Sequence, residues 1–294
     1  MDFSPSIVRD RLPTLAARLP PWWPYALFVA ATSPLTLYWW NLILAGSVAF
    51  DWRIFVEAGE RIWEGSPDLY EVNDLYSFRH SPAFALLMPG IAWIGVVGVR
   101  LVTLAAALAM PTWPMRVLAV ASWPFAMDFQ HGALIMPMVL AAAWALRGSR
   151  VGGLAFILFT LLSPRPLMLP VAAYLLWRQP SLRLPATALL VANGAVVLLS
   201  GYADEWVTML LTVGTDGIGT PLNLSPSRFI GRAWIPIGVV LATWLAIRGR
   251  VGLAALAISP YLLPHYLLFA LLDLPRTGTS RPPATAARPG LGVG

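Results

Sequence analysis

The chain has 294 residues, of which 12% are charged and 58% hydrophobic, with a mean hydropathy of +0.69. A soluble domain carries about 25% charged residues, so the composition argues against a soluble enzyme or a nucleic-acid-binding module and for many membrane spans. The net charge of +6 rests on arginine alone and there is no cysteine, which excludes disulfides and thiolate metal sites and makes the basic excess a property of cytoplasmic loops.

Residues 1–24 read as a cytoplasmic lead with Arg9, Arg11 and Arg18, closing on Pro20-Pro21-Trp22-Trp23-Pro24. The tryptophans suit the headgroup level. Residues 25–50 form one uncharged run, long enough to cross a bilayer and too long for a cleaved signal peptide. The three arginines before it orient it with the N-terminus inside. Asp51 then stands at the outer mouth of this first span.

Residues 51–81 hold Asp51, Glu57, Glu60, Glu64, Asp68, Glu71 and Asp74, half of all the acids. Phe55, Ala58, Ile62 and Trp63 recur at helical spacing among them. The pattern predicts an amphipathic helix lying along the outer surface, ended by Gly65-Ser66-Pro67. Glu57 is the acid of its polar side best placed to turn inward.

Beyond Pro82 the apolar runs are short and close together: 82–95, 97–110, 115–127, 132–146, 151–162, 167–177, 185–200, 233–247 and 251–272. Several fall below the roughly 20 residues of a lone span. Such pieces are tolerated where broken backbone lines a cavity inside the protein, and Ser163-Pro164-Arg165-Pro166 is the clearest break. Arg147/Arg150, Arg178/Arg183 and Arg248/Arg250 mark inner loops. Ser163 to Pro166, Gln130-His131-Gly132 and a second outer loop, 201–232, then fall outside, with Arg116 inside. Two short runs separated by Arg100 must carry the chain from Pro82 to Arg116. Either one is re-entrant or the two form one tilted span. Residues 25–272 read as a single transmembrane domain and 273–294 as a disordered tail.

The stretch D-W-R-I-F-V-E-A-G-E-R-I-W-E-G-S-P-D-L-Y, followed by Y-S-F-R-H-S-P-A-F-A-L-L-M-P, resembles the polyprenyl-phosphate-mannose-dependent mannosyltransferases of glycosyltransferase family 87, in the GT-C superfamily. Asp51, Phe55, Ala58, Gly65, Leu69, Tyr70, Phe78, Pro82 and Pro89 fall on that pattern. Leu162-Ser163-Pro164-Arg165-Pro166, then Trp177-Arg178, resembles the family's lysine-proline break. Asn223-Leu224-Ser225 with Arg228 resembles its late outer loop, and Ser259-Pro260-Tyr261 with His265 its last core segment. His80 stands where the family has an aromatic residue and Ser163 where it has lysine.

The resemblance implies an all-α polytopic membrane protein, a GT-C-like bundle of about 8–10 transmembrane helices. It also implies transfer of a sugar, mannose in the first instance, from a polyprenyl-phosphate donor to a glycan or glycolipid hydroxyl at the outer membrane face, with inversion. Membrane lipid is the surrounding partner, and no nucleic acid, metal or cofactor is expected. Such chemistry needs one carboxylate to take the acceptor proton and cationic or hydrogen-bonding groups to hold the leaving phosphate.

By this resemblance Asp51 is the general base; from composition alone a span-terminating charge is the more ordinary reading. Arg165 is either a snorkelling arginine or a bidentate phosphate ligand. His265, inside an apolar run, is either a core histidine or a donor contact. His80, Arg79, Arg228, Gln130 and His131 complete the substrate-binding candidates, and Trp52 and Trp63 are candidates for stacking on a sugar. A transporter or flippase of lipid-linked sugar and a non-catalytic homologue are the rival readings.

Overall fold

The computed structural model describes residues 22–47, 49–70, 78–216 and 218–274. The cytoplasmic lead through Pro21, the acids Glu71 and Asp74, and the tail from residue 275 lie outside the described residues.

The described chain is all helical, without a strand. The first uncharged run, expected as one span, is two helices, α1 (Trp23–Ala31) and α2 (Ser33–Leu44), bent by 60°. Pro34 lacks an amide hydrogen and crowds the preceding turn. The Ser33 hydroxyl donates to the Ala30 carbonyl, 2.9 Å away, which loses its usual helical partner because Pro34 has no amide hydrogen, and the Thr32 hydroxyl adds a bond to the Phe28 carbonyl at 2.8 Å.

The acidic stretch folds as α3 (Phe50–Trp63), but its apolar face does not lie on a membrane surface. Trp52, Phe55, Ala58, Gly59 and Ile62 are buried in the protein, against α4 (Pro82–Ile91) and its neighbours. Gly59 permits the approach, since a Cβ there would sit 2.7 Å from the Met88 Cβ. Trp63 is exposed and its indole donates to the Leu86 carbonyl at 3.1 Å. Glu57 turns outward to pair with Arg53 at 2.6 Å rather than inward.

A 3-10 turn and Gly95, at φ +62°, join α4 to α5 (Gly95–Leu108). Then follow α6 (Trp113–Val120) and α7 (Trp123–His131), split where Ser122 caps α7 by accepting the Phe125 amide at 3.3 Å. Next come α8 (Ile135–Ala145), α9 (Arg150–Leu162), α10 (Leu169–Arg178) and α11 (Arg183–Leu199). The expected second outer loop contains α12 (Ala203–Asp216) and the single turn α13 (Ser227–Ile230). The chain ends in α14 (Trp234–Ile247), α15 (Val251–Ile258) and a 3-10 helix, Pro264–Asp273. The last run, expected as one segment, is thus broken by Ser259-Pro260 and Pro264.

Three helical stretches are long and apolar enough to cross a membrane: Pro82–Leu108, Pro180–Leu199 and Ser227–Ile247. The bent α1–α2 pair makes a fourth if it counts as one span, and α8 and α9 are shorter apolar helices. Leu184 and Leu199 on α11 and Val240 and Ile247 on α14 are more than 70% exposed, as expected of faces that meet lipid rather than water. The core centres on α8, where Ile135, Met136, Met138, Val139 and Ala141 to Ala143 are buried. A helix apolar on all sides belongs in the middle of a bundle.

The arginine pairs expected at inner loops occupy the α8–α9, α10–α11 and α14–α15 turns. Asp51, His131, Arg165 and Tyr261 lie past or near the other ends of helices. Along α9 the rise from Arg150 to Leu162 is about 20 Å. Arg100 reaches the Ser47 carbonyl at 3.2 Å and Val99 packs by Gly132, both at the Asp51 end. Ser81 donates to the Leu162 carbonyl at 2.9 Å, also at that end. The start of α4 and the first turns of α5 are thus both tied to residues of the Asp51 end.

Two carboxylates act as helix caps. Asp128 accepts the Ile135 and Met136 amides of α8 at 3.1 and 2.8 Å. Asp273 accepts the Gly252 and Leu253 amides of α15 at 2.9 and 2.8 Å. Each satisfies amides that a helix N-terminus leaves unpaired. Asp128→Ala should destabilise the protein by roughly 2 kcal/mol or more, because two buried amides lose their acceptors, read as a lower melting temperature in detergent. Gly252→Ala should cost about 1–3 kcal/mol, because a Cβ there would run into the Phe269 carbonyl. Its check is the same melt.

Candidate active site

A cavity of about 200 Å³ opens at the Asp51 end of the bundle. Asp51 enters it from the first turn of α3, beside Ile54 and Phe55. Arg79 and His80 come from the segment before α4, His131 from the end of α7, Arg165 from the break after α9, and His265 and Tyr266 from the last 3-10 helix. Six of the eight site residues expected from sequence thus share one cavity across widely separated parts of the chain. Gln130 does not line it: its side-chain amide donates to the Ser47 hydroxyl at 3.2 Å. Arg228 does not line it either; it is exposed, and it donates to the Pro221 carbonyl at 3.0 Å.

His80 sits among aromatic rings. Its imidazole meets Phe55 and Phe84 with centroids 5.0 Å apart and Phe78 at 5.3 Å. The Tyr70 hydroxyl donates to the His80 carbonyl at 2.7 Å. That cage explains why a histidine can stand where an aromatic residue is expected. Burial, with the Arg165 charge adding to it, holds this imidazole well below its ordinary pKa, so it meets a ligand in the neutral form.

His131 is wedged against Trp39 at 5.3 Å and His265 at 6.2 Å. Its Nδ1 faces the Met127 carbonyl at 2.9 Å, which directs Nε2 away from the helix. Arg165 lies over the Tyr266 ring, 5.2 Å from the centroid. Among the described residues no carboxylate forms an ion pair with it. The Arg165 Nη1, His80 Nδ1 and His265 Nδ1 atoms are buried with no hydrogen-bond partner among the described residues. A buried polar atom left unpaired costs about 1–3 kcal/mol. The Arg165 atom offers a donor, and each imidazole nitrogen offers a donor or an acceptor according to its tautomer, so the cavity suits a polar ligand able to pair with all three.

Burial raises the Asp51 pKa above the ordinary carboxylate range, while the His131 and Arg165 charges act the other way. The carboxyl is therefore a better proton acceptor than a solvated one, yet keeps cationic neighbours that allow it to ionise. Among the described residues no group of three His, Asp or Glu side chains is close enough to hold a metal ion.

Trp52, a candidate for stacking on a sugar, is in the core instead, 4% exposed. Trp63 points away on the far end of α3. The aromatic residues that do line the cavity are Phe55, Tyr261 and Tyr266. Tyr261 was legible only as part of the last core segment's pattern, and Tyr266 escaped the sequence reading because that segment read as one continuous span.

Asn223 was legible only as part of a loop pattern. In the structure it ties that loop to the break after α15. Its amide group donates to the Ile218 carbonyl, the Ser227 hydroxyl and the Pro260 carbonyl, and its oxygen accepts the Ser225 and Leu262 amides. Ser225 and Ser227 donate to the Ser259 and Pro260 carbonyls. This knot holds Leu222 and Tyr261 at the cavity wall.

Comparison of the chain with protein-family models, with curated proteins and with solved structures finds no match.

Proposed function

We propose that this chain is a membrane glycosyltransferase of the GT-C type, with about 8–10 membrane-crossing segments counted by its apolar runs. In this reading the arginine-bearing turns face the cytoplasm and the Asp51 cavity opens at the extracytoplasmic face. The donor is a polyprenyl-phosphate sugar, with mannose the first sugar to test, and the acceptor is a hydroxyl of a glycan or glycolipid. The observation that carries the reading is the meeting, in one cavity, of a single carboxyl with an unpaired guanidinium nitrogen and two unpaired imidazole nitrogens.

The chemistry follows from those groups. The acceptor oxygen attacks the anomeric carbon from the face opposite the phosphate, and Asp51 takes its proton. The bond from the anomeric carbon to the phosphate oxygen breaks, and the electron pair leaves with the polyprenyl phosphate. That anion is already stable, so no second carboxyl is needed to protonate it. Arg165, His80 and His265 stabilise its growing charge through donors fixed before the reaction starts. Configuration at the anomeric carbon inverts because the attack is a single displacement. Arg79 adds positive charge at the cavity wall.

The test is transfer by the purified protein from radiolabelled polyprenyl-phosphate mannose, and from the corresponding pentose lipid, to a panel of glycan and glycolipid acceptors. Labelled product is expected with one donor. Specific binding of the lipids with no turnover on any acceptor would overturn the proposal.

A further inference from the structure

Arg100 is the one charged residue between Pro82 and Met115, and the transfer chemistry above makes no use of it. Among the described residues it pairs with no carboxylate. Its Nε donates to the Phe129 carbonyl at 3.3 Å and its Nη2 to the Ser47 carbonyl at 3.2 Å. The guanidinium also lies over the Phe129 ring, 5.8 Å from its centroid.

The Phe129 carbonyl belongs to a helix C-terminal end and the Ser47 carbonyl to the connection after α2. Ser47 follows α2, and Phe129 is in the last turn of α7. Such carbonyls lack helical partners, and a cation is favoured beside them. One planar fork reaches both at once in a fixed geometry, which the rotating point charge of a lysine does not provide.

The position of this clamp gives it a consequence. Ser47 stands four residues before Asp51, and Phe129 two residues before His131. Gln130 reinforces the join through the Ser47 hydroxyl at 3.2 Å. Gly132 closes it: a Cβ there would lie 3.1 Å from the Trp52 Cβ and 3.3 Å from Val99. Two segments distant in sequence, each delivering a side chain to the cavity, are thus fastened together a few residues behind those side chains.

We infer that Arg100 is a positioning residue, which sets the separation of Asp51 from His131 by bridging the Ser47 and Phe129 carbonyls. The inference rests on the transferase reading for its effect on rate, but not for its effect on geometry. Asp51 shares the cavity with Arg79, His80, His131, Arg165 and His265, and Arg165 is supplied by a different element that the clamp does not touch. Loss of the clamp therefore acts on the α7 groups that face Asp51, which are His131 and the Asp128 carboxyl, and leaves the Arg165 contribution in place.

The experiment is a carboxyl-carbon NMR titration of Asp51 in the full chain in lipid nanodiscs, with the resonance assigned through Asp51→Asn. His131→Gln in the parent is expected to raise the Asp51 midpoint. Arg100→Gln is expected to raise it as well, and adding His131→Gln to that variant is expected to move it no further. An Asp51 midpoint unchanged by Arg100→Gln overturns the inference, whether or not the parent transfers sugar. If Arg100→Gln fails to fold, Arg100→Lys decides: a midpoint between those of the parent and His131→Gln supports the clamp, and the parent's own midpoint overturns it. In the transfer assay, Arg100→Gln should lower kcat by about tenfold or more with the donor KM within about twofold. A raised donor KM at unchanged kcat would also overturn it. No transfer by the parent, with the titration behaving as expected, removes the transferase reading and leaves the clamp standing.

Discussion

Asp51→Asn should lower sugar transfer by about two to four orders of magnitude, the usual contribution of a positioned general base, while leaving donor binding near the parent value. The asparagine keeps the size and hydrogen-bonding shape of the side chain and removes only its ability to take a proton. Glu60→Gln on the exposed side of α3 should leave transfer unchanged. In the parent, burial holds the Asp51 pKa above the ordinary carboxylate range. A base works when ionised, so the acid limb of the kcat/KM profile should lie above that range, with activity lost as pH falls through the folded-state pKa.

The same shift has a consequence for stability with a definite sign. A carboxyl whose pKa is raised by folding favours the protein when protonated. That contribution is fully present below the unfolded-chain pKa and is lost as pH rises through the folded-state value. Asp51→Asn should therefore melt no lower than the parent at neutral pH. A marked drop in melting temperature together with lost transfer would instead make Asp51 a structural residue. Full transfer by the variant would remove it from the mechanism.

Arg165→Gln should lower kcat by about 10²- to 10³-fold, the effect of deleting one fixed donor from a developing anion, and weaken donor binding as well. Arg165 is suited to this because among the described residues it forms no ion pair with a carboxylate. It rests on the Tyr266 ring rather than on a carboxylate, and one of its terminal nitrogens is unpaired among the described residues. Arg165→Lys keeps the charge and loses the planar fork, so it should recover only part of the rate. Tyr266→Leu removes the surface on which the guanidinium lies and should raise the donor KM by about fivefold. Competition by inorganic phosphate separates the roles: binding lost in Arg165→Gln and kept in Asp51→Asn is the expected pattern. Equal phosphate binding by the parent and Arg165→Gln would sink the assignment.

Much of the site was legible because charge is scarce in this chain. In a sequence with 12% charged residues, each ionisable group within or beside an apolar run is conspicuous, and desolvation makes such a group costly without a purpose. That reasoning, joined to the family resemblance, reached Asp51, Arg165, His131 and His265 without any contact information. It passed over Asp128, which is equally conspicuous but caps α8, and over the contribution of Arg100, whose partners are main-chain carbonyls that leave no mark in a sequence.

The helices themselves were partly legible. Runs such as 151–162 and 233–247 match α9 and α14 to within one residue at either end, because an apolar run bounded by arginines has one regular way to satisfy its backbone in a membrane. The breaks were less legible. Pro34 bends the first run, and Pro260 and Pro264 divide the last. A proline marks where a helix loses a hydrogen bond, not how far the chain then turns.

What the sequence determined by itself is the apolar, all-helical character of the protein, the sorting of three arginine pairs to one set of turns, and the short list of groups able to do chemistry. Only the tertiary structure decided which of these meet. It brought Asp51, Arg79, His80, His131, Arg165 and His265 to one cavity. It turned Glu57 outward to Arg53, left Arg228 at the surface, and buried the face of α3 in protein. These outcomes depend on close approaches such as Gly59 against Met88 and Gly132 against Trp52, and on hydrogen bonds between segments far apart in the chain. Periodicity says which face of a helix is apolar, but what covers that face depends on the packing of all the other helices.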